Sequence, residues 1–189
     1  MQHCRKQKGD GMISLRRTMT WPRRRWRAKG FGIHSPFAFS FVTEVLARRG
    51  CGGIDEELRA AATGDGFGDM ALIYRCISHF RPGKIAIYPA GDEILTRIVG
   101  LTAPDAEIIS GNSTITPDMA IVRTPEAAPT HDNGAPVYII RNIDRAPAKD
   151  LWKRLTSGCS RGMDFSDRRI GIICRFSHLP RQSFKIAFK

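Results

Sequence analysis

The sequence predicts an α/β fold, doubly wound about a mostly parallel sheet, and three observations carry the prediction. Short apolar runs of strand length alternate with helix-period segments from Lys84 onward. Several of those runs are apolar at consecutive positions, as strands covered on both faces require. The chain of 189 residues is about one domain long, so a single sheet must organise one core.

Residues 1–29, MQHCRKQKGDGMISLRRTMTWPRRRWRAK, are polar, rich in arginine and without a hydrophobic period. They read as a flexible basic arm ahead of a domain over 30–189, and Met12 and Met19 within them are alternative starting residues. Ser35 then offers a hydroxyl as N-cap, and Pro36 suits the first helical position, where a missing N–H costs nothing. Phe37, Phe41, Val42, Val45 and Leu46 follow at helical spacing, defining a helix of roughly 13 residues that Gly50 is placed to end. A short helix is expected at Asp55–Ala62, between the glycine-rich CGG and TGDGFGD. Leu72, Ile73, Cys76, Ile77 and Phe80 mark the next helix, over 69–80, stopped by Arg81-Pro82-Gly83.

KIAIYP (84–89) predicts a buried strand, PAGDE a turn, and Ile94, Leu95, Ile98 and Val99 the face of a helix. AEIISG (106–111), DMAIVRTP (118–125) and PVYIIRNI (136–143) are further strands. Ala146-Pro147 opens a helix carrying Leu151, Trp152 and Leu155, and RIGIICRF (169–176) and SFKIAFK (183–189) close the chain as a hairpin-like pair.

The net charge of +12 is unevenly distributed. Ten basic side chains face one acid in residues 1–30, eight face thirteen in 31–140, and twelve face four in 141–189. A uniformly basic, histone-like composition is excluded. No apolar stretch approaches the ~18 residues of a membrane span, and the N-terminus lacks a signal peptide's apolar block, so a cytoplasmic protein is expected. Five scattered cysteines without a C-x-x-C pair suggest reduced thiols, and the isolated histidines predict no metal site. WPRRRWRAKGF (21–31) interleaves arginine with Trp21, Trp26 and Phe31, a composition open to nucleic acid, to an anionic surface and to a merely solubilising arm.

GFGIHSPFAFSFVTEVL (30–46) resembles the K-G-H-G-I-H-S-P-F-V-F signature of a bacterial group of class I S-adenosylmethionine-dependent methyltransferases related to the O-methyltransferases. The likeness continues through KIAIYP, PDMAIVRTP, PVYIIRNIDRAPAKDLWKRL and QSFKIAFK, nearly the whole chain after Lys29. It implies a Rossmann-like sheet, S-adenosylmethionine as cofactor and methyl transfer to an acceptor by in-line positioning. The resemblance puts Gly91, Ser110 and Gly111 nearest the cofactor and Asp118 or Asp144 nearest the acceptor, as catalytic candidates.

The departures from that pattern concern acids and glycines. IAIYPAGDE keeps only Gly91 of a glycine-rich turn, and Pro89 removes an amide. Ser110 stands where an acid would hold the ribose hydroxyls. Arg123 and Arg141-Asn142 replace strand-end acids, and NSTIT alone spans the place of a helix, a strand and another helix. The resemblance thus implies a shortened and degenerate site.

Two functions follow as expectations: a methyltransferase, or a non-catalytic binding or scaffold module whose basic segments contact an acidic partner or nucleic acid. His34 reads as a helix-flanking residue more readily than as a general base, and Gly91-Asp92-Glu93 more readily as a polar connection than as a cofactor turn. Arg123 and Arg141 fit an anion site and a solvated sheet edge equally.

Overall fold

The computed structural model describes residues 22, 24–62, 66–109, 113 and 115–188. Among these, seven strands form one mixed, mostly parallel sheet: β1 (Lys84–Tyr88), β2 (Glu107–Ile109), β3 (Met119–Val122), β4 (Val137–Ile140), β5 (Met163–Ser166), β6 (Gly171–Cys174) and β7 (Gln182–Lys185). The spatial order is β2-β1-β3-β4-β6-β5-β7, with β6 antiparallel to both of its neighbours and every other pairing parallel. The expected α/β class is therefore present.

Helices α1 (Pro36–Ser40), α2 (Asp55–Ala61), α3 (Phe67–Phe80) and α4 (Glu93–Thr102) bury their apolar faces together with Ile85, Ile87, Met119, Ile121 and Phe165 of the sheet. Helix α5 (Ala148–Ser157) packs Leu151 and Leu155 on the residues of opposite parity, Tyr88, Val122, Tyr138 and Ile140. Consecutive apolar residues in β1, β3 and β4 are thus explained by two covering layers.

Ser35 caps α1 as the sequence predicts, its Oγ accepting from the Ala38 N–H at 3.3 Å. The helix then widens into a π-helical segment, Phe41–Leu46, and ends four residues before Gly50. Helix α3 starts two residues earlier than the spacing predicts, at Phe67.

Two expectations need correction. The final two β-runs do not pair with each other. The hairpin is instead β5–β6, because Asp167 turns the chain by accepting the Arg169 and Ile170 N–H groups at 2.7 and 2.8 Å. The sequence of β5, MDFS, escapes notice because only Met163 and Phe165 are apolar, while the alternate residues Asp164 and Ser166 satisfy themselves by hydrogen bonding or at the rim. β7 then adds in parallel to the outer side of β5.

The expected arm is also not uniformly outside the domain. Residues 24–27 are helical, Ala28 is buried, and the Ala187 N–H donates to the Arg24 carbonyl at 3.3 Å. Ala28 supplies the apolar contact that residue-by-residue composition could not reveal. The rest of the arm, residues 1–21 and 23, lies outside the described residues.

Before β4, Asp132 accepts from the Arg175 guanidinium, the Tyr138 hydroxyl (2.8 Å) and the Gly134 N–H (2.9 Å). Partial burial raises its pKa, but these donors outweigh it and hold the carboxyl below its ordinary value of 3.8. Because the folded pKa lies below the unfolded one, the stabilisation is complete above the ordinary value of 3.8 and is lost as pH falls below it through the folded pKa. Urea midpoints of the wild type and Asp132→Asn should therefore differ most at neutral pH and draw together as the pH is lowered below 3.8.

Candidate functional site

In an open sheet of this kind, ligands bind beyond the carboxyl ends of the strands where the order reverses. Here that point lies between β1, which leads through α4 to β2 on one side, and β3 on the other. Its rim is built from Tyr88 and the following turn, Arg123 after β3 and Arg141 after β4.

The turn delivers Asp92 as the N-cap of α4, in an extended conformation, with Oδ1 accepting the Leu95 N–H at 2.9 Å. Its Oδ2 takes the Arg123 Nε, and its side chain is wholly buried. A helix N-terminus attracts an anion through its unpaired amides and positive dipole end. In this chain Asp92 is that anion, neutralised by Arg123.

A second ion pair closes the neighbouring strand end. Arg141, itself buried, donates through Nε and Nη2 to Asp69 Oδ2 at 3.2 and 3.0 Å, and Asp69 sits in the first turn of α3. Arg169, from the β5–β6 turn, reaches the other oxygen of Asp69 at 3.4 Å. Arg123 and Arg141 are accordingly neither an open anion site nor a solvated edge. Each is engaged by an acid far away in the sequence, which no local pattern could reveal.

The expected site residues separate. Gly91 lies in the turn after β1 with φ +74, a conformation that favours glycine, and a Cβ there would meet nothing within 4 Å. Ser110 and Gly111 lie outside the described residues. Asp118 precedes β3 and its Oδ2 accepts the Gly83 and Lys84 N–H groups at 2.9 and 2.8 Å, tying the chain at the amino end of the sheet. Asp144 is exposed beyond the carboxyl end of β4. A four-residue strand separates those ends by about 13 Å, so the two acids stand at opposite ends of the sheet, and of the two only Asp144 is on the side of the strand carboxyl ends. His34 is exposed beside the Ser35 cap.

Tyr88 fills the sheet face below the rim, its hydroxyl accepting from Asn133 Nδ2 at 3.0 Å; burial raises its pKa against the lowering by that hydrogen bond. At the N-terminus of α4 the Leu95 amide is thus capped by Asp92, and that cap is charge-paired with Arg123. Among the described residues no group of three or more His, Cys, Asp or Glu is placed to hold a metal ion, and no helix is long and apolar enough to cross a membrane.

Comparison with protein-family models, with curated proteins and with solved structures finds no match to the chain. Two of the clefts among the described residues gather charged and nucleophilic side chains outside the strand ends. One, of about 280 Å³, lies beside the π-helical segment and is lined by Glu44, Arg48, Cys51, Tyr74, Arg75 and His79, among others. Arg75 is buried there as a structural cap, donating to the Val45 and Gly50 carbonyls at 2.8 and 3.3 Å. Burial raises the Cys51 thiol above its ordinary pKa and lowers that of His79, which leaves no thiolate and no ready acid at neutral pH.

The other cleft, of about 430 Å³, lies between α5 and the outer strand β7. Lys153, Arg181 and Lys185 line it with Asp164, Ser166 and Ser183. None of these was singled out from the sequence. The available signal was the C-terminal excess of basic residues, whose convergence on one groove depends on the sheet order.

Proposed function

We propose that the chain is a catalytically silent, shortened relative of the class I methyltransferases, working as a binding module that contacts an acidic partner through its basic surface. The observation that carries this is Asp92, buried, capping α4 and paired with Arg123 at the point where a cofactor would have to enter. The sheet order is in keeping with descent from a Rossmann-like ancestor: taking the outermost strand from an order 3-2-1-4-5 leaves 2-1-4-5, the arrangement of β2-β1-β3-β4 here. The five residues NSTIT stand where that strand and its helices would be.

Loss of catalysis leaves the charge to be explained. Arginines at the strand ends are consumed by internal ion pairs, whereas lysines of α5 and β7 stay exposed. Calorimetry with S-adenosylmethionine at millimolar ligand should give no binding heat, and the melting temperature should not move. Saturable binding with a thermal shift that grows with ligand concentration would overturn the proposal, since a ligand of the folded state must stabilise it.

A further inference from the structure

Among the described residues, no strand pairs with the outer edge of β7. β7 ends the sheet, and the Gln182 and Ile186 N–H groups point inward to the Gly162 and Ser166 carbonyls of the β5 segment at 3.2 and 2.9 Å. The alternate residues Ser183 and Lys185 therefore direct their N–H and C=O groups outward, where no strand covers them among the described residues. The next outward N–H, that of Ala187, already donates to the Arg24 carbonyl, so a chain segment can reach this edge.

The chemistry beside the edge is polarised. On the α5 side the cleft presents exposed Lys153 and Lys185, neither in an ion pair among the described residues. Its one acid, Asp164, is buried and already answered by Arg181 at 2.6 Å and by the Ser183 hydroxyl at 2.7 Å. On the opposite face Phe184 is half-buried, stacked on Phe165 with ring centroids 5.2 Å apart. One face of an added strand would thus meet ammonium groups and the other an apolar ring.

We propose that β7 takes up an extended segment of a partner protein as an eighth strand, a segment in which acidic residues alternate with apolar ones. This rests on the binding-module reading above and names its partner chemistry. Main-chain hydrogen bonds to Ser183 and Lys185 provide adhesion, and the two lysines select acidic side chains. An edge lysine repels a second copy of this chain, which disfavours self-pairing. Nucleic acid is the poorer occupant, because it has no use for a strand edge. Trp152, the aromatic ring of the cleft, is also packed so closely on Gly171 that a Cβ there would lie 2.3 Å from it.

The test uses the full chain and fluorescence anisotropy with a fluorescein-labelled decapeptide of alternating Glu and Val. Its controls are the Lys-Val counterpart and a single-stranded oligothymidylate. Ser183→Pro removes an outward N–H, which an edge strand tolerates, together with the hydroxyl that bonds Asp164, so Ser183→Ala, which loses the hydroxyl alone, is its reference; relative to Ser183→Ala, Ser183→Pro should weaken Glu-Val binding about tenfold or more. Lys153→Glu with Lys185→Glu should weaken it by a similar factor, and added salt should do the same to the wild type. Circular dichroism melts verify folding of each variant. Should Ser183→Pro unfold, slowed amide exchange at Ser183 and Lys185 on adding peptide gives the same answer in the wild type. Absence of Glu-Val binding, equal affinity for the Lys-Val peptide, preference for the oligothymidylate, or indifference to Ser183→Pro with unchanged exchange would each overturn the proposal. A cofactor-binding result would remove the silent-relative reading while leaving these measurements intact.

Discussion

Gly162→Ala should lower the melting temperature by about 6–12 °C, the consequence of at least about 3 kcal/mol of lost stability in a chain of this size. Gly162 has φ +105, a region that L side chains rarely enter, and a Cβ would lie 2.3 Å from the Cys174 carbonyl oxygen and 2.9 Å from the Arg175 Cα. Both neighbours are backbone, so no side-chain rotation relieves the clash. The position matters because Gly162 also supplies the carbonyl that starts the β5–β7 ladder. Gly91→Ala provides the contrast: its φ is similarly positive, but open space surrounds it, so only backbone strain of about 1–2 kcal/mol is expected. Differential scanning calorimetry of the two variants separates crowding from strain, and equal melting temperatures would contradict the packing seen at Gly162.

Arg123→Ala should cost about 2–3 kcal/mol, toward the lower end for a broken buried pair, because Arg123 keeps some exposure and Asp92 retains the Leu95 N–H. Most of that loss is an uncompensated buried carboxylate. Asp92→Asn combined with Arg123→Ala should therefore be more stable than Arg123→Ala alone, since asparagine keeps the cap without the charge. Urea denaturation of the three variants measures the coupling. Additive losses would mean that the two side chains act independently, and would remove the reason for regarding the helix terminus as closed from within.

The elements that were legible in the sequence share a local cause. Ser35-Pro36, the apolar faces of α3 and α4 and the continuous apolar runs of β1, β3 and β4 all express their structure through neighbours within a few residues. β5 was not legible, because its polar residues Asp164 and Ser166 interrupt the apolar signal, and Asp164 is made tolerable by Arg181 and Ser183 from the next segment. At the candidate site the sequence exposed what was missing relative to the methyltransferase pattern, above all Arg123 and Arg141 in place of acids. It did not expose what those arginines do. Their partners Asp92 and Asp69 lie 31 and 72 residues away, brought together by α4 and α3 closing over the strand ends.

By itself, then, the sequence determined the α/β class, most helix and strand positions and the uneven charge, because periodicity, capping and composition are properties of contiguous residues. The strand order, the pairing of Asp92 with Arg123 and the gathering of Lys153, Arg181 and Lys185 beside the outermost strand were decided only in the tertiary structure. Each of these depends on which distant segments share the sheet, and a buried charge or an open backbone edge acquires its meaning from the group set against it.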